Sequence, residues 1–233
     1  MAKGSLNSYF AKRSIRRGGG SAGCADPLPE NGGTARKRVL RNPSTLTPSQ
    51  PMKIGPIDLG DRPLLLAPME DVTDSPFRQV CKAMGADLVY TEFISSEAVV
   101  RQVGRAMHKM SFEEMERPFG IQLFGGREEA MDGAAAIAVA ERPDLVDINF
   151  GCPVYKIVDK GAGAACLRDL GMMERMARTV VRSVAERSPE TPVTVKTRLG
   201  WDEDSIRIQE VALMLQEAGV QALTVHARTR NQK

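Results

Sequence analysis

From residue 52 onward, short apolar runs alternate with longer stretches whose apolar residues recur at helical spacing. That alternation constrains the chain more than any other feature. Strands are expected at 64–67, 88–91, 120–124, 145–149, 193–197 and 222–226. Helices are expected at about 76–84, 128–141, 169–187 and 204–218, the last stopped by Gly219. The first helix is the clearest: Asp74 or Ser75 can cap it and Pro76 suits its first turn. Phe77, Val80, Cys81 and Met84 share one face, and Gly85 ends it. Repeated βα units imply parallel strands covered by helices. Six such strands fit either a six-strand doubly wound sheet or the first six units of an eight-unit barrel. The polar residues decide. Gln122, Asn149, Lys196 and His226 each sit at or near the C-terminal end of a different consecutive strand, in apolar company. Burying a polar side chain unsatisfied costs a few kcal/mol, so four at equivalent places point to one ligand at the mouth of a barrel. No GxGxxG follows the first strand, which counts against a dinucleotide-binding sheet. The expected fold is therefore α/β, a TIM (β/α)8-type barrel with only the first six βα units present.

Composition sets the outer limits. Hydrophobic residues make up 42% and charged residues 26%, which excludes collagen-like, mucin-like and wholly disordered chains. The longest apolar runs, 64–68 and 134–140, fall far short of the roughly 18–20 residues that cross a bilayer, so no membrane is expected. The four cysteines lack CxxC spacing and a secretory leader, so a reducing, cytoplasmic setting fits, with no metal. Net charge is +3, but residues 1–51 alone carry +7 and the remainder −4. The overall basicity is thus no evidence of a nucleic-acid partner. Residues 1–51, rich in Gly, Ser, Thr and Pro, read as a disordered basic low-complexity extension. Three origins compete for it: a basic RNA-binding arm, an organelle transit peptide, or a start codon assigned too far upstream. Met52, which opens the patterned region, favours the last.

The most informative segment is Asp147-Ile148-Asn149-Phe150-Gly151-Cys152-Pro153, followed by Lys156 and the small-residue run Gly161-Ala162-Gly163-Ala164-Ala165. It places a thiol on the loop just after a strand, with Gly151 allowing close approach of a ligand and Pro153 stiffening the exit. The bland alternative for Cys152 is a buried structural thiol. On these residues the chain resembles the tRNA-dihydrouridine synthase family, particularly its bacterial B-type branch. Further matches follow in chain order: Ala67-Pro68-Met69 with Asp71-Val72-Thr73-Asp74 and Pro76-Phe77-Arg78, Thr91-Glu92 with Ser95-Ser96, and Ile121-Gln122-Leu123-Phe124-Gly125. Val195-Lys196-Thr197-Arg198-Leu199-Gly200-Trp201 and Thr224-Val225-His226-Ala227-Arg228-Thr229-Arg230 complete them, and the likeness covers roughly residues 52–233.

The resemblance implies an FMN-containing barrel that uses NADPH to reduce the C5=C6 bond of particular uridines in tRNA. Hydride goes from reduced flavin to C6, and C5 then needs a proton from a nearby acid. Cys152 matches that acid, and an unperturbed thiol, with a pKa of about 8.5, is mostly protonated at neutral pH. Lys196 matches a lysine beside the flavin, where a cation offsets charge at N1 and O2; its alternative is a lysine snorkelling to solvent. Gln122 resembles a glutamine that hydrogen-bonds the flavin ring, against a barrel-lining amide satisfied by backbone. Pro68, Met69 and Glu70 form the loop that lies against the flavin, with Glu70-Asp71 standing where Ala-Gly is common. His226 matches a histidine near the cofactor, against a satisfied structural histidine. Asn149, Lys156, Arg198, Arg228 and Arg230 would face tRNA, although arginines on loops are usually solvated. His108 reads as surface, and Cys81, Cys166 and Met172, Met173 and Met176 as core. The family continues past the position of Lys233 with two more βα units and a helical domain that supply the flavin-phosphate site and much of the tRNA surface. The chain is therefore expected to be a truncated member, monomeric when complete, with exposed strand edges. Two alternatives stay open: another FMN-barrel oxidoreductase acting on a small pyrimidine or enone, and an inactive RNA-binding fragment.

Overall fold

The computed structural model describes residues 51–232. The expected extension lies, but for Pro51, outside the described residues. Strands β1 (Lys53–Ile54) and β2 (Ile57–Asp58) pair as an antiparallel hairpin, too short to show any alternation in the sequence. Ile54 and Leu59 from this hairpin pack with Leu88, Tyr90 and Leu145 and plug the end of the sheet where the strands begin.

The segment at 64–67 is extended but is not a strand. It makes one parallel bridge, Leu65 to Leu88, and two backbone hydrogen bonds, from Asp87 N to Leu64 O (2.8 Å) and from Leu66 N to Leu88 O (2.9 Å). Pro63 and Pro68 bracket it and donate nothing to a ladder. Helix α1 (Ser75–Ala83) starts as expected, with Asp74 accepting from Phe77 N at 3.1 Å. Its expected core face is wrong, however. Phe77, Val80 and Met84 are exposed, Cys81 is half-buried, and the wholly buried side chain is Arg78. The cause is an ion pair with Glu116, described below, which draws the opposite face inward.

There follow β3 (Val89–Tyr90), β4 (Ile94–Ser95), α2 (Ser96–Val100), α3 (Gly104–Lys109), β5 (Phe119–Phe124), α4 (Glu128–Ala140), β6 (Leu145–Asn149) and α5 (Tyr155–Val158). Then come α6 (Leu170–Ala185), β7 (Val193–Arg198), α7 (Ile208–Glu217) and β8 (Ala222–His226). Helix α7 begins later than its pattern suggests. The preceding Glu203–Ser205 forms a separate turn in which the side chains of Asp202 and Ser205 take up each other's backbone N–H groups.

All main-sheet strands are parallel, in the order β3-β5-β6-β7-β8, with β4 also on β5. The fold is thus an α/β arc curling toward a barrel without closing, a partial (β/α)8 barrel. Outward-facing Ile121, Leu123, Val146, Ile148 and Val195 pack under α4 and α6 against Ala134, Ala138, Met173, Met176 and Val180. Each wholly buried Val, Leu or Ile contributes roughly 1.5–3 kcal/mol. Among the described residues no helix is long and apolar enough to cross a membrane.

Candidate active site

The inward residues of β6 are Leu145, Asp147 and Asn149, and past them the loop bearing Cys152 folds over the C-terminal end of the sheet. Cys152 is 6% exposed. Its backbone is held on all sides: Asn149 Oδ1 accepts from Gly151 N (3.0 Å) and Cys152 N (2.9 Å), and Cys152 O accepts from Ala164 N (3.0 Å). Gly163, at φ +59°, lies against the loop, and a Cβ there would stand 2.8 Å from Cys152 O. The small-residue run is therefore the bed on which the thiol loop rests. Gly151 also permits a close approach, but the neighbour is the Thr197 backbone at 3.3 Å, where the sequence suggested a ligand. Burial pushes the Cys152 thiol above its ordinary pKa, and the Val154 N–H and Arg198 offset this only in part. The sulfur accordingly carries its proton at neutral pH.

Beneath this loop is a line of buried polar groups. Asn149 Nδ2 donates to Gln122 Oε1 (2.9 Å), and Gln122 Nε2 donates to Asp147 Oδ2 (2.6 Å). Thr194 Oγ1 donates to the other oxygen of Asp147. The sequence motif itself points to no role for Asp147. The signal that it faces inward is its spacing of two from Asn149 on one strand. Burial raises its pKa to about 6, against the hydrogen bonds from Gln122 and Thr194 and the charge of Lys196.

A pH dependence follows. The folded pKa lies above the ordinary value of 3.8, so the native state holds the extra proton between these values and stability rises as pH falls through that window. The desolvation cost is fully present above about pH 6. Relative to Asp147→Asn, the wild-type chain should gain about 2 kcal/mol between pH 7 and pH 4, read by urea unfolding at each pH. A constant difference across that range contradicts the assignment.

Lys196, on β7, is half-buried, and its ammonium makes no hydrogen bond or salt bridge among the described residues. Burial lowers its pKa and Asp147 partly restores it. Its side chain lines a cavity of about 60 Å³ with Leu66, Pro68, Tyr90, Asp147 and Thr224, where the two ends of the arc converge. Pro68 is half-buried and Met69 and Glu70 are exposed. Their loop is braced by Thr73, whose Oγ1 accepts from Met69 N (3.1 Å) and donates to Met69 O (3.0 Å). Glu70 is held by Lys109 Nζ at 2.6 Å, and the same ammonium reaches Glu92 at 3.2 Å. Glu70, Asp71 and Glu92 lie close enough to suggest a cation site, but Lys109, together with Arg105 on Asp71, already compensates them.

The remaining candidates divide. Arg198 donates to Gly151 O (2.7 Å) and Thr229 O (3.1 Å), tying the thiol loop to the segment after β8. His226, Arg228 and Lys156 are exposed, and burial together with Arg198, Lys196 and Arg228 lowers the His226 pKa. Arg230 lies 4.8 Å above the Trp201 ring, Arg168 lies 5.0 Å from the same ring, and the buried Arg230 Nε has no hydrogen-bond partner among the described residues. Cys166 is wholly buried, as expected, with its thiol pushed up to about 12. Met173 and Met176 are wholly buried and Met172 partly so, and His108 is exposed, all as expected.

A buried thiol and a half-buried lysine near the C-terminal ends of the strands of a partial βα barrel stand where barrels of this kind place their sites. Comparison with known proteins supplies the family. The family model described as dihydrouridine synthase matches residues 65–233. Probable tRNA-dihydrouridine synthase 1 of Synechocystis sp. is 41% identical over 200 residues, which is 85% of this chain and 54% of that protein. tRNA-dihydrouridine synthase B of Pseudomonas aeruginosa is 38% identical over 179 residues, 77% of this chain and 52% of its own length. This chain belongs to the dihydrouridine synthase family, and it spans about half the length of these curated relatives. Among solved structures, a morphinone reductase overlaps 75% of this chain and 70% of its own with a TM-score of 0.43 at 16% identity.

Proposed function

We propose that this chain carries the reacting part of a flavin-dependent, NADPH-driven reduction of uridine to 5,6-dihydrouridine in tRNA, in the cytoplasm. The observation that carries the reading is Cys152: a buried, protonated thiol on a loop fixed over the C-terminal end of a parallel sheet. Bound FMN, reduced by NADPH, would supply hydride to uracil C6. The residues present suit such a group, because Lys196 is a half-buried cation without a hydrogen-bond partner, beside Pro68 in the central cavity. Lys196 would sit against the flavin N1 and O2, with the Pro68-Met69-Glu70 loop and His226 along its edge. Gln122 is wholly buried and both ends of its amide are engaged, so its part is to hold the site's floor.

Hydride arrival at C6 leaves an enolate across C5 and O4, and Cys152 Sγ gives its proton to C5. The thiolate formed is met by the charge of Arg198, which acts on that sulfur. Water then reprotonates it. An open cleft of about 450 Å³ beside the thiol loop, walled by Phe93, Phe124, Val154 and Ile157 and rimmed by Arg105 and Lys156, offers room for a base taken out of its stack. Arg228 and Lys156, both exposed, are placed to meet phosphates.

The test is retention of FMN by the 233-residue chain after desalting, read at 450 nm or thereabouts, followed by dihydrouridine analysis of tRNA treated with NADPH. Retained flavin is expected, with Lys196→Met weakening it about tenfold or more, the scale of one lost charge-assisted hydrogen bond. Retention unchanged in Lys196→Met, or flavin with no dihydrouridine formed, counts against the reading.

A further inference from the structure

The buried groups between β5, β6 and β7 form a line with one direction. At its base is Asp147, 2% exposed, whose ionised carboxylate accepts hydrogen bonds and donates none. Gln122 must therefore present its nitrogen to Asp147, which turns Oε1 toward Asn149. Asn149 must then offer Nδ2 to Gln122, and Oδ1 is left facing the thiol loop, where it accepts from Gly151 N and Cys152 N. Each amide is symmetric enough in shape to sit either way round. The carboxylate breaks that symmetry at one end, because reversing Gln122 would set oxygen against oxygen at a 2.6 Å contact, and the two loop N–H groups demand the same polarity at the other. With both amides reversed, Asn149 Nδ2 would face two N–H groups and the loop would lose both bonds.

We propose that Asp147 is a positioning residue: through the fixed polarity of Gln122 and Asn149 it sets the backbone of the Cys152 loop, and with it where the thiol points. Both of its carboxylate oxygens are taken up by Gln122 and Thr194, and it acts through the amides. Its effect on catalysis rests on the assignment of Cys152 above, but its effect on the loop does not, and the loop can be measured without turnover.

The measurement is alkylation of Cys152 by iodoacetamide at about pH 8, resolved by peptide mass spectrometry, at a pH where Asp147 is ionised. Cys166 in the same sample is the internal control, since it is wholly buried and has no link to the amides. In Asp147→Asn, whose amide accepts or donates equally well, Cys152 should react on the order of tenfold faster than in the wild type, with Cys166 unchanged. Gln122→Leu, which removes the middle link while keeping apolar bulk, should do the same and carries the test alone if Asp147→Asn does not fold. Thr194→Val removes only the other donor on Asp147 and should leave the Cys152 rate within about twofold. An unchanged Cys152 rate in the first two variants, or Cys152 and Cys166 accelerating together, overturns the proposal.

Discussion

Glu116→Ala is expected to destabilise the fold by about 3–5 kcal/mol, enough to leave a marginal domain largely unfolded. Glu116 is wholly buried and Arg78 is 2% exposed. The Arg78 Nε donates to Glu116, Nη1 donates to Thr73 O (2.9 Å) and Nη2 to Ser111 O (2.9 Å). Ser75 Oγ and Glu113 N donate to the same carboxylate. Removing Glu116 therefore strands a guanidinium inside the protein along with two donors. The ring of Phe119, 5.0 Å from the Arg78 carbon, cannot replace the lost anion. Thr73 also braces Met69, so any folded remainder should hold the first loop loosely. Urea unfolding checks the number. Glu116→Gln, which keeps the shape and an acceptor, should lose less, and an effect below about 1 kcal/mol in Glu116→Ala means that the pair is not the anchor of this region.

The second large effect is chemical. Cys152→Ala should lower dihydrouridine formation by 10²–10⁴-fold, the range for removing a positioned general acid, while flavin retention and NADPH oxidation stay as in the wild type. Alanine is smaller than cysteine, and the loop is held through backbone atoms, from Asn149, Arg198 and Ala164. The substitution thus removes the proton and little else. Normal dihydrouridine yield in this variant would show that the C5 proton comes from another group.

Much of the architecture is legible in the sequence because parallel strands buried on both faces must be short, apolar and evenly spaced. The strands at 120–124, 145–149, 193–197 and 222–226 lie within a residue of the observed β5 to β8. What escaped has physical causes. The hairpin β1–β2 is too short for a period, and the run at 64–67 is apolar enough for a strand but lacks a ladder beyond its single bridge. The apolar spacing in α1 is genuine, yet a helix turns whichever face its strongest partner demands, and a buried ion pair to a residue 38 positions away is invisible locally. At the site, the strand-end rule brought Gln122, Asn149 and Lys196 together. It passed over Asp147 because that residue lies one layer deeper, and it could not tell that Arg198 is occupied by backbone carbonyls.

The chain has one tryptophan, and two guanidinium groups stand over it. Indole emission depends on what lies against the ring, so Trp201 is an optical gauge built into the loop after β7. A phosphate or nucleotide that draws Arg230 away from the ring changes the light the protein emits. Events at the mouth of the sheet can therefore be followed in the unlabelled chain, in real time, before any product exists.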